Sequence, residues 1–170
     1  MWMEIGFGYG EHLVQWMMQY PKRSMIGVEV FENGWVSCVN QLPDHGMDAF
    51  ALFNEPVEEL LPTLPDSVLS GIMIRFPDPW PKRRHEKRRL IQPDFLNECS
   101  RVVKDKGVLY FASDHTQMVD FAHMAFVTHP RWHCAMHGTI RPAGWPVSRY
   151  ESKAMAKGIP CMYTMCYNKG

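Results

Sequence analysis

The densest chemistry in this 170-residue chain runs Arg75-Phe76-Pro77-Asp78-Pro79-Trp80-Pro81-Lys82-Arg83-Arg84-His85-Glu86-Lys87-Arg88-Arg89-Leu90. An apolar run, Val68 to Ile74, leads into it like a buried strand emerging at a sheet edge. Asp78 stands between two prolines, which fix φ and restrict their neighbours, so the backbone there is fixed where a loop would otherwise be loose. Six of the eighteen lysines and arginines then follow within eight positions. A fixed carboxylate beside an aromatic and a dense cationic patch suits a reaction centre facing a polyanion. The plainer alternative is a proline-rich turn followed by a solvated charge run.

A second group opens the chain: Glu4-Ile5-Gly6-Phe7-Gly8-Tyr9-Gly10. Glycines just after a first strand let a ligand approach the backbone at the carboxyl edge of a sheet. The GxGxG spacing is weaker than the dinucleotide fingerprint, and a simple tight turn has the same spacing. Glu29 adds weight. It ends a second apolar run, 19 residues after Gly10, where a carboxylate can accept hydrogen bonds from two ribose hydroxyls. Together they indicate an adenosine-type ligand lying along Glu4, Gly6, Gly8, Glu29 and Val30. Nothing cradles a pyrophosphate, and an acid, Glu4, precedes the glycines. A ligand with a cationic end and no phosphates suits this pattern: S-adenosylmethionine fits, and NAD is the poorer fit. Asn54-Glu55 could receive the adenine amino group or could simply begin a surface helix.

The elements that must position these groups follow from periodicity. Strands are expected at Trp2–Ile5, Met25–Val30, Ala49–Phe53, Val68–Ile74, Gly107–Ala112, Trp132–Met136 and Pro160–Tyr167. A helix with Leu13, Trp16, Met17 and Tyr20 on one face stops at Pro21. The next carries Trp35, Val39 and Leu42 inward and closes at Pro43-Asp44-His45-Gly46. Asn54-Glu55-Pro56 opens a short helix. Gln92-Pro93 starts one with Phe95, Leu96, Cys99 and Val102 inward. Asp114 can cap another, with Met118, Phe121, Ala122 and Ala125 inward and Pro130 beyond its end. The last two strands are joined by a Gly/Pro-rich loop, Gly138 to Gly158. Alternating strands and helices mean an α/β fold with right-handed crossovers and a mostly parallel sheet, here seven-stranded with an antiparallel finish.

Composition bounds the rest. One domain spanning residues 1–170 is expected, with an apolar fraction of 46% and room for a sizeable core. Lysines and arginines equal aspartates and glutamates at 18 each, so the basic run is a local asymmetry and one directed contact surface is expected. Cys38, Cys99, Cys134, Cys161 and Cys166 form no CxxC pair and read as reduced thiols in a cytoplasmic protein. No run approaches the ~20 apolar residues of a membrane-spanning helix, and the first residues lack the basic and apolar regions of a signal peptide. His129, His133 and His137 are four apart, but Pro130 breaks any helix between them, so no metal is expected. Trp80 and Trp145 could stack on a base or pack.

Taken with Gly27-Val28-Glu29-Val30, Phe111-Ala112-Ser113-Asp114 and Pro146-Val147-Ser148-Arg149-Tyr150-Glu151, these motifs resemble, in order, the bacterial tRNA (guanine-N7-)-methyltransferase family. The resemblance covers about residues 4 to 168. It implies a class I, Rossmann-like methyltransferase fold with helices on both sheet faces, S-adenosylmethionine as methyl donor and tRNA as partner. The implied target is the variable-loop guanine. By this likeness Glu4, Gly6, Glu29 and Glu55 line the donor site and Asp78 is the catalytic residue. Lys82, Asp114 and the segment Ser148, Arg149, Tyr150 and Glu151 contact the guanine. The family carries several dozen residues ahead of the glycine motif where this chain has three before Glu4, so a shortened first strand is expected. Glu55-Pro56 and Ser148 depart from the family's usual residues. Arg84, Lys87, Arg88 and Arg89 are expected to grip phosphates, in a protein expected to be monomeric. The alternatives are a noncatalytic RNA-binding relative with a degraded donor site, or a methyltransferase acting on another nucleophile.

Overall fold

In strand β1 (Trp2–Ile5) Met3 and Ile5 point into one apolar cluster while Glu4, between them, points to the other sheet face, the period-two alternation of a strand. The structure, a computed structural model, describes residues 1–43 and 49–170. The chain continues through α1 (Glu11–Gln19), β2 (Met25–Val28), α2 (Glu32–Val39), β3 (Phe50–Phe53), α3 (Val57–Leu60) and β4 (Leu69–Arg75). Then come α4 (Pro93–Val102), β5 (Val103–Ser113), α5 (Thr116–Thr128), β6 (Trp132–Gly138), α6 (Arg149–Ala156) and β7 (Met162–Asn168). The strands form one seven-stranded sheet in the order β3-β2-β1-β4-β5-β7-β6. β1 to β5 run parallel, and β7 enters antiparallel between β5 and β6.

Helices cover both faces. α3, α4 and α5 bury Val57, Phe95, Leu96, Met118 and Phe126 against Met3, Ile72 and Phe111. α1, α2 and α6 bury Leu13, Trp16, Cys38 and Ala154 against Met25, Met73 and Tyr163. Helix starts obey local chemistry: Pro93 stands in the first turn of α4, where its missing N–H costs nothing.

Four expectations are corrected. β2 ends at Val28, because Val30 already lies on the exposed edge. α2 buries Gly34 and Cys38 instead of Val39, because it packs through its small residues against the glycine turn. A Cβ on Gly34 would lie 2.3 Å from the Gly8 carbonyl oxygen, and one on Gly10 would lie 2.5 Å from Cys38 Cβ. α5 is capped at His115 and not at Asp114; Ser113 Oγ accepts the His115 N–H, and the buried face is Met118, Val119, Ala122 and Phe126. The loop between β6 and β7 contains α6. The expected closure of α2 falls from Asp44 onward outside the described residues.

Candidate functional site

Gly6, Glu29, Asn54 and Arg75 follow one registered row of the sheet: Ile5 pairs with Val28 and Ile74, and Val28 with Phe53. Four adjacent strands therefore open at one carboxyl edge, the place where open α/β sheets take ligands. Gly6, Gly8 and Gly10 have φ of 73°, 59° and 86°, the left-handed region that side chains disfavour. Glu29 fastens this turn: its carboxylate accepts the Gly8 N–H at 2.6 Å and the Phe31 N–H at 2.9 Å. Each carboxylate oxygen keeps a second lone pair, so Glu29 can secure the turn and still accept a hydroxyl. Val30 and Phe31 form an exposed apolar shoulder beside it. Asn54 and Glu55 lie exposed at the end of β3.

Glu4 is 2% exposed and sits under the turn. His12 Nδ1, from α1, lies 2.9 Å from both its oxygens. An ionised carboxylate only accepts, so Nδ1 carries the proton. Burial pushes the Glu4 carboxyl up, but the bond and charge of His12 and the charge of Arg75 outweigh it, and Glu4 lies below its ordinary value. The sequence points Glu4 at a ligand; the structure places His12 there first. A partner eight residues away across a turn leaves no pattern to read.

Beside this pair is a cavity of about 30 Å³, lined among others by Glu4, Gly6, His12, Arg75, Phe76 and Tyr150. Two of the lining residues carry three buried polar atoms with no hydrogen-bond partner: His12 Nε2, Arg75 Nε and Arg75 Nη1. Leaving such atoms unpaired costs about 1–3 kcal/mol each, and a ligand that pairs with them recovers that cost. Arg75 is otherwise held by the Pro146 carbonyl at 3.3 Å and by Glu151 at 3.7 Å, with Trp145 under its guanidinium. Burial pushes Arg75 below its ordinary value, while Glu4 and Glu151 oppose that shift.

Asp78 is exposed, in a turn leaving β4. Phe76 and Trp80, on either side, have φ of 50° and 40°, strained for bulky residues at about 1–3 kcal/mol each. Arg89 holds the turn. It is 4% exposed, and its guanidinium donates to the carbonyls of Pro79 and Trp80 at 3.3 Å and packs on Phe121. Charged hydrogen bonds of this kind contribute about 1.5–3 kcal/mol each, comparable to the strain. Arg89, expected at a phosphate, is thus turned into the protein, with its charge on backbone carbonyls. Lys82, Arg84, Lys87 and Arg88 remain exposed on and beside a 3-10 turn, residues 83–88. Arg88 lies over the Trp80 ring at 5.0 Å.

Ser148 and Glu151 form a capping box at the start of α6: Ser148 Oγ accepts the Glu151 N–H, and Glu151 accepts the Ser148 N–H. The spacing Ser-x-x-Glu carries that signal in the sequence. Glu151 is 2% exposed and also takes the Tyr163 hydroxyl at 2.6 Å and Arg141 at 3.3 Å. Like Arg89 it is buried and committed, so the expected base contact is not presented at the surface. Arg149 lies over Tyr9, and Tyr150 stacks on Phe76 with ring planes 18° apart. Both shield the cavity. Asp114 is half-buried at the end of β5. Among the described residues no group of three or more His, Cys, Asp or Glu could hold a metal, and no helix is long and apolar enough to cross a membrane.

The family described as "Putative methyltransferase" matches residues 1–163. The tRNA (guanine-N(7)-)-methyltransferase of Rhodospirillum rubrum is 42% identical over 162 residues, covering 93% of this chain and 64% of its own length. That of Azorhizobium caulinodans is 41% identical over 160 residues, covering 92% of this chain and 70% of its own length. The chain thus spans about two thirds of these relatives. The 16S rRNA methyltransferase KamB superposes with a TM-score of 0.71 at 12% identity, covering 99% of this chain and 87% of its own, a likeness of fold alone. With the glycine turn, the fastening acid just beyond β2 and the proline-flanked Asp78 all on one edge of a class I methyltransferase sheet, the chain belongs to the tRNA (guanine-N7-)-methyltransferase family.

Proposed function

We propose that this chain methylates N7 of a guanine in tRNA, with the variable-loop guanine as target and S-adenosylmethionine as methyl donor. The observation that carries this reading is one cavity wall shared by both halves of the site. Gly6, which begins the glycine turn, and Phe76, two residues before Asp78, line the same cavity just past the ends of the adjacent parallel strands β1 and β4. The unpaired atoms of Arg75 and His12 and the carboxylate of Glu4 suit the charged amino-acid end of the donor. Glu29 suits its ribose, and Val30, Phe31, Asn54 and Glu55 suit its adenine. The bound donor supplies an electrophilic methyl group on a cationic sulfur.

What the protein must add is set by the acceptor. Guanine N7 has an in-plane lone pair and no proton, so no strong base is needed before attack. Catalysis then rests on positioning and on charge. Methylation leaves positive charge on the purine, and the Asp78 carboxylate either offsets it or orients the base through its N–H groups. Lys82, Arg84, Lys87 and Arg88 hold the phosphates around the target. The half-buried Asp114 and the Arg149–Tyr150 shoulder border the acceptor.

The test is a methyl-transfer assay on unmodified tRNA, with mapping of the modified base, alongside calorimetry with S-adenosylmethionine. Transfer to a guanine N7 in the variable loop is expected. A folded chain that binds no donor would instead be an RNA-binding relative without activity, and methylation elsewhere would make the basic run an ordinary solvated face.

A further inference from the structure

The far edge of the sheet, where β6 pairs with β7, holds a cluster with no part in the site above. Cys134 of β6 is registered directly opposite Cys166 of β7, and their sulfurs are 3.4 Å apart. Directly opposed residues on antiparallel strands have Cα atoms about 4.5–5.5 Å apart, within the range a disulfide spans. The β6 register slips between Cys134 and Met136. One extra residue, Ala135, turns the following side chains over, so Cys134 and His137 share the face covered by α5. There His123 Nδ1 lies 3.9 Å from Cys134 Sγ, and its ring stacks on His137 at 4.0 Å. His137 Nδ1 is paired with Thr164 Oγ1 at 2.8 Å. Cys166 is fully buried, while Cys134 reaches solvent in part.

The two thiols differ in kind. Cys134 sulfur receives the Cys166 S–H and lies beside His123, and both favour its thiolate over the opposing effect of burial. The same bond, together with burial, keeps Cys166 protonated. A partly exposed thiolate next to a buried thiol is the arrangement of an attacking and a resolving cysteine.

We propose that Cys134 and Cys166 are an oxidant-responsive pair that a hydroperoxide converts to a cross-strand disulfide. The Cys134 thiolate attacks one peroxide oxygen, the O–O bond breaks, and the departing hydroxide (or alkoxide) takes up the proton that left the thiol. Cys134 is then a sulfenic acid. Cys166 sulfur attacks the Cys134 sulfur, the S–O bond breaks, and hydroxide leaves as water with the Cys166 proton. Two thiols are oxidised by two electrons and one peroxide is reduced. The loop so closed, residues 134–166, contains the Ser148–Tyr150 shoulder that shields the cavity, so the bond ties that shoulder to the sheet edge.

Hydrogen peroxide is added to the full chain, and intact mass and a peptide map are recorded with and without dithiothreitol. The wild-type chain is expected to lose two hydrogens and to join the Cys134 and Cys166 peptides. Its unfolding midpoint is expected to rise by about 5–10 °C, and dithiothreitol is expected to reverse both changes. Cys166→Ser is expected to gain one oxygen at Cys134, trappable by dimedone, and Cys134→Ser to show neither change. A wild-type chain whose mass is unchanged by peroxide would overturn the proposal, and so would a cross-link through Cys38, Cys99 or Cys161. The measurement on the wild-type chain decides independently of whether either variant folds.

Discussion

The two halves of the site are built on opposite plans. On the β1–β2 side the two expected acids are buried and bonded: Glu29 to two backbone N–H groups, Glu4 to His12. On the β4 side Asp78 and most of the basic residues stand in solvent, and the order lies behind them, in Arg89. A small ligand with fixed charges can be met by a site shaped before it arrives. A large, flexible polyanion is met by exposed charge on a turn whose backbone, not its side chains, is fixed. Removing a bonded group on the first side should therefore change donor affinity. Removing an exposed one on the second should change turnover or RNA affinity with little effect on stability.

The sharpest contrast is expected from Asp78→Asn. Turnover should fall by about 10²–10³-fold while donor affinity measured by calorimetry stays as in the wild-type chain. Equal losses in both would place Asp78 on the donor side and erase the contrast. Next is the basic turn. Neutralising Arg84, Lys87 and Arg88 together should lower the slope of log affinity for tRNA against log salt by roughly 2–3 units. Arg89→Ala should leave that slope alone and instead lower the unfolding midpoint and the turnover, because it frees the Asp78 turn. If Arg89→Ala flattens the slope as the others do, its buried position in the structure does not describe the RNA-bound protein.

On the donor side the expected effect is smaller. Glu29→Gln leaves one acceptor oxygen for two N–H groups, so donor affinity should drop about tenfold, or about 1.4 kcal/mol. An unchanged affinity would make Glu29 a turn fastener alone. The smallest effect is in pH. Glu4 is lowered in the folded protein from an ordinary value of 4.5. A depressed carboxyl adds stability that is present above the unfolded value and is lost as pH falls through the folded one. Urea unfolding of wild type and Glu4→Gln should therefore differ most above about pH 4.5 and converge in more acid solution. A gap that widens on acidification would mean that burial, not His12 and Arg75, dominates at Glu4.

Much of this was written in local residue order. The strands and most helices follow from apolar spacing and from Gly and Pro punctuation, and the glycine turn, Glu29 and the proline-flanked Asp78 are legible as motifs. Even the missed α6 had its Ser148-x-x-Glu151 signature in plain sight, hidden by the glycines and prolines around it. Arg89 shows the limit: nothing in Lys87-Arg88-Arg89 separates the buried arginine from its exposed neighbours.

The sequence alone determined the elements, their order and the residue types gathered at the strand ends, because those depend on periodicity and on chemistry within a few residues. Only the tertiary structure decided which charges are spent inside the protein. Whether Arg89 faces phosphate or two carbonyls, whether Glu4 meets a ligand or His12, and whether Cys134 meets Cys166 depend on strand register and helix packing. Those bring together groups that are 8, 32 or more residues apart in the chain, or turn adjacent ones to opposite sides. The energy of a charge is set by what surrounds it in space.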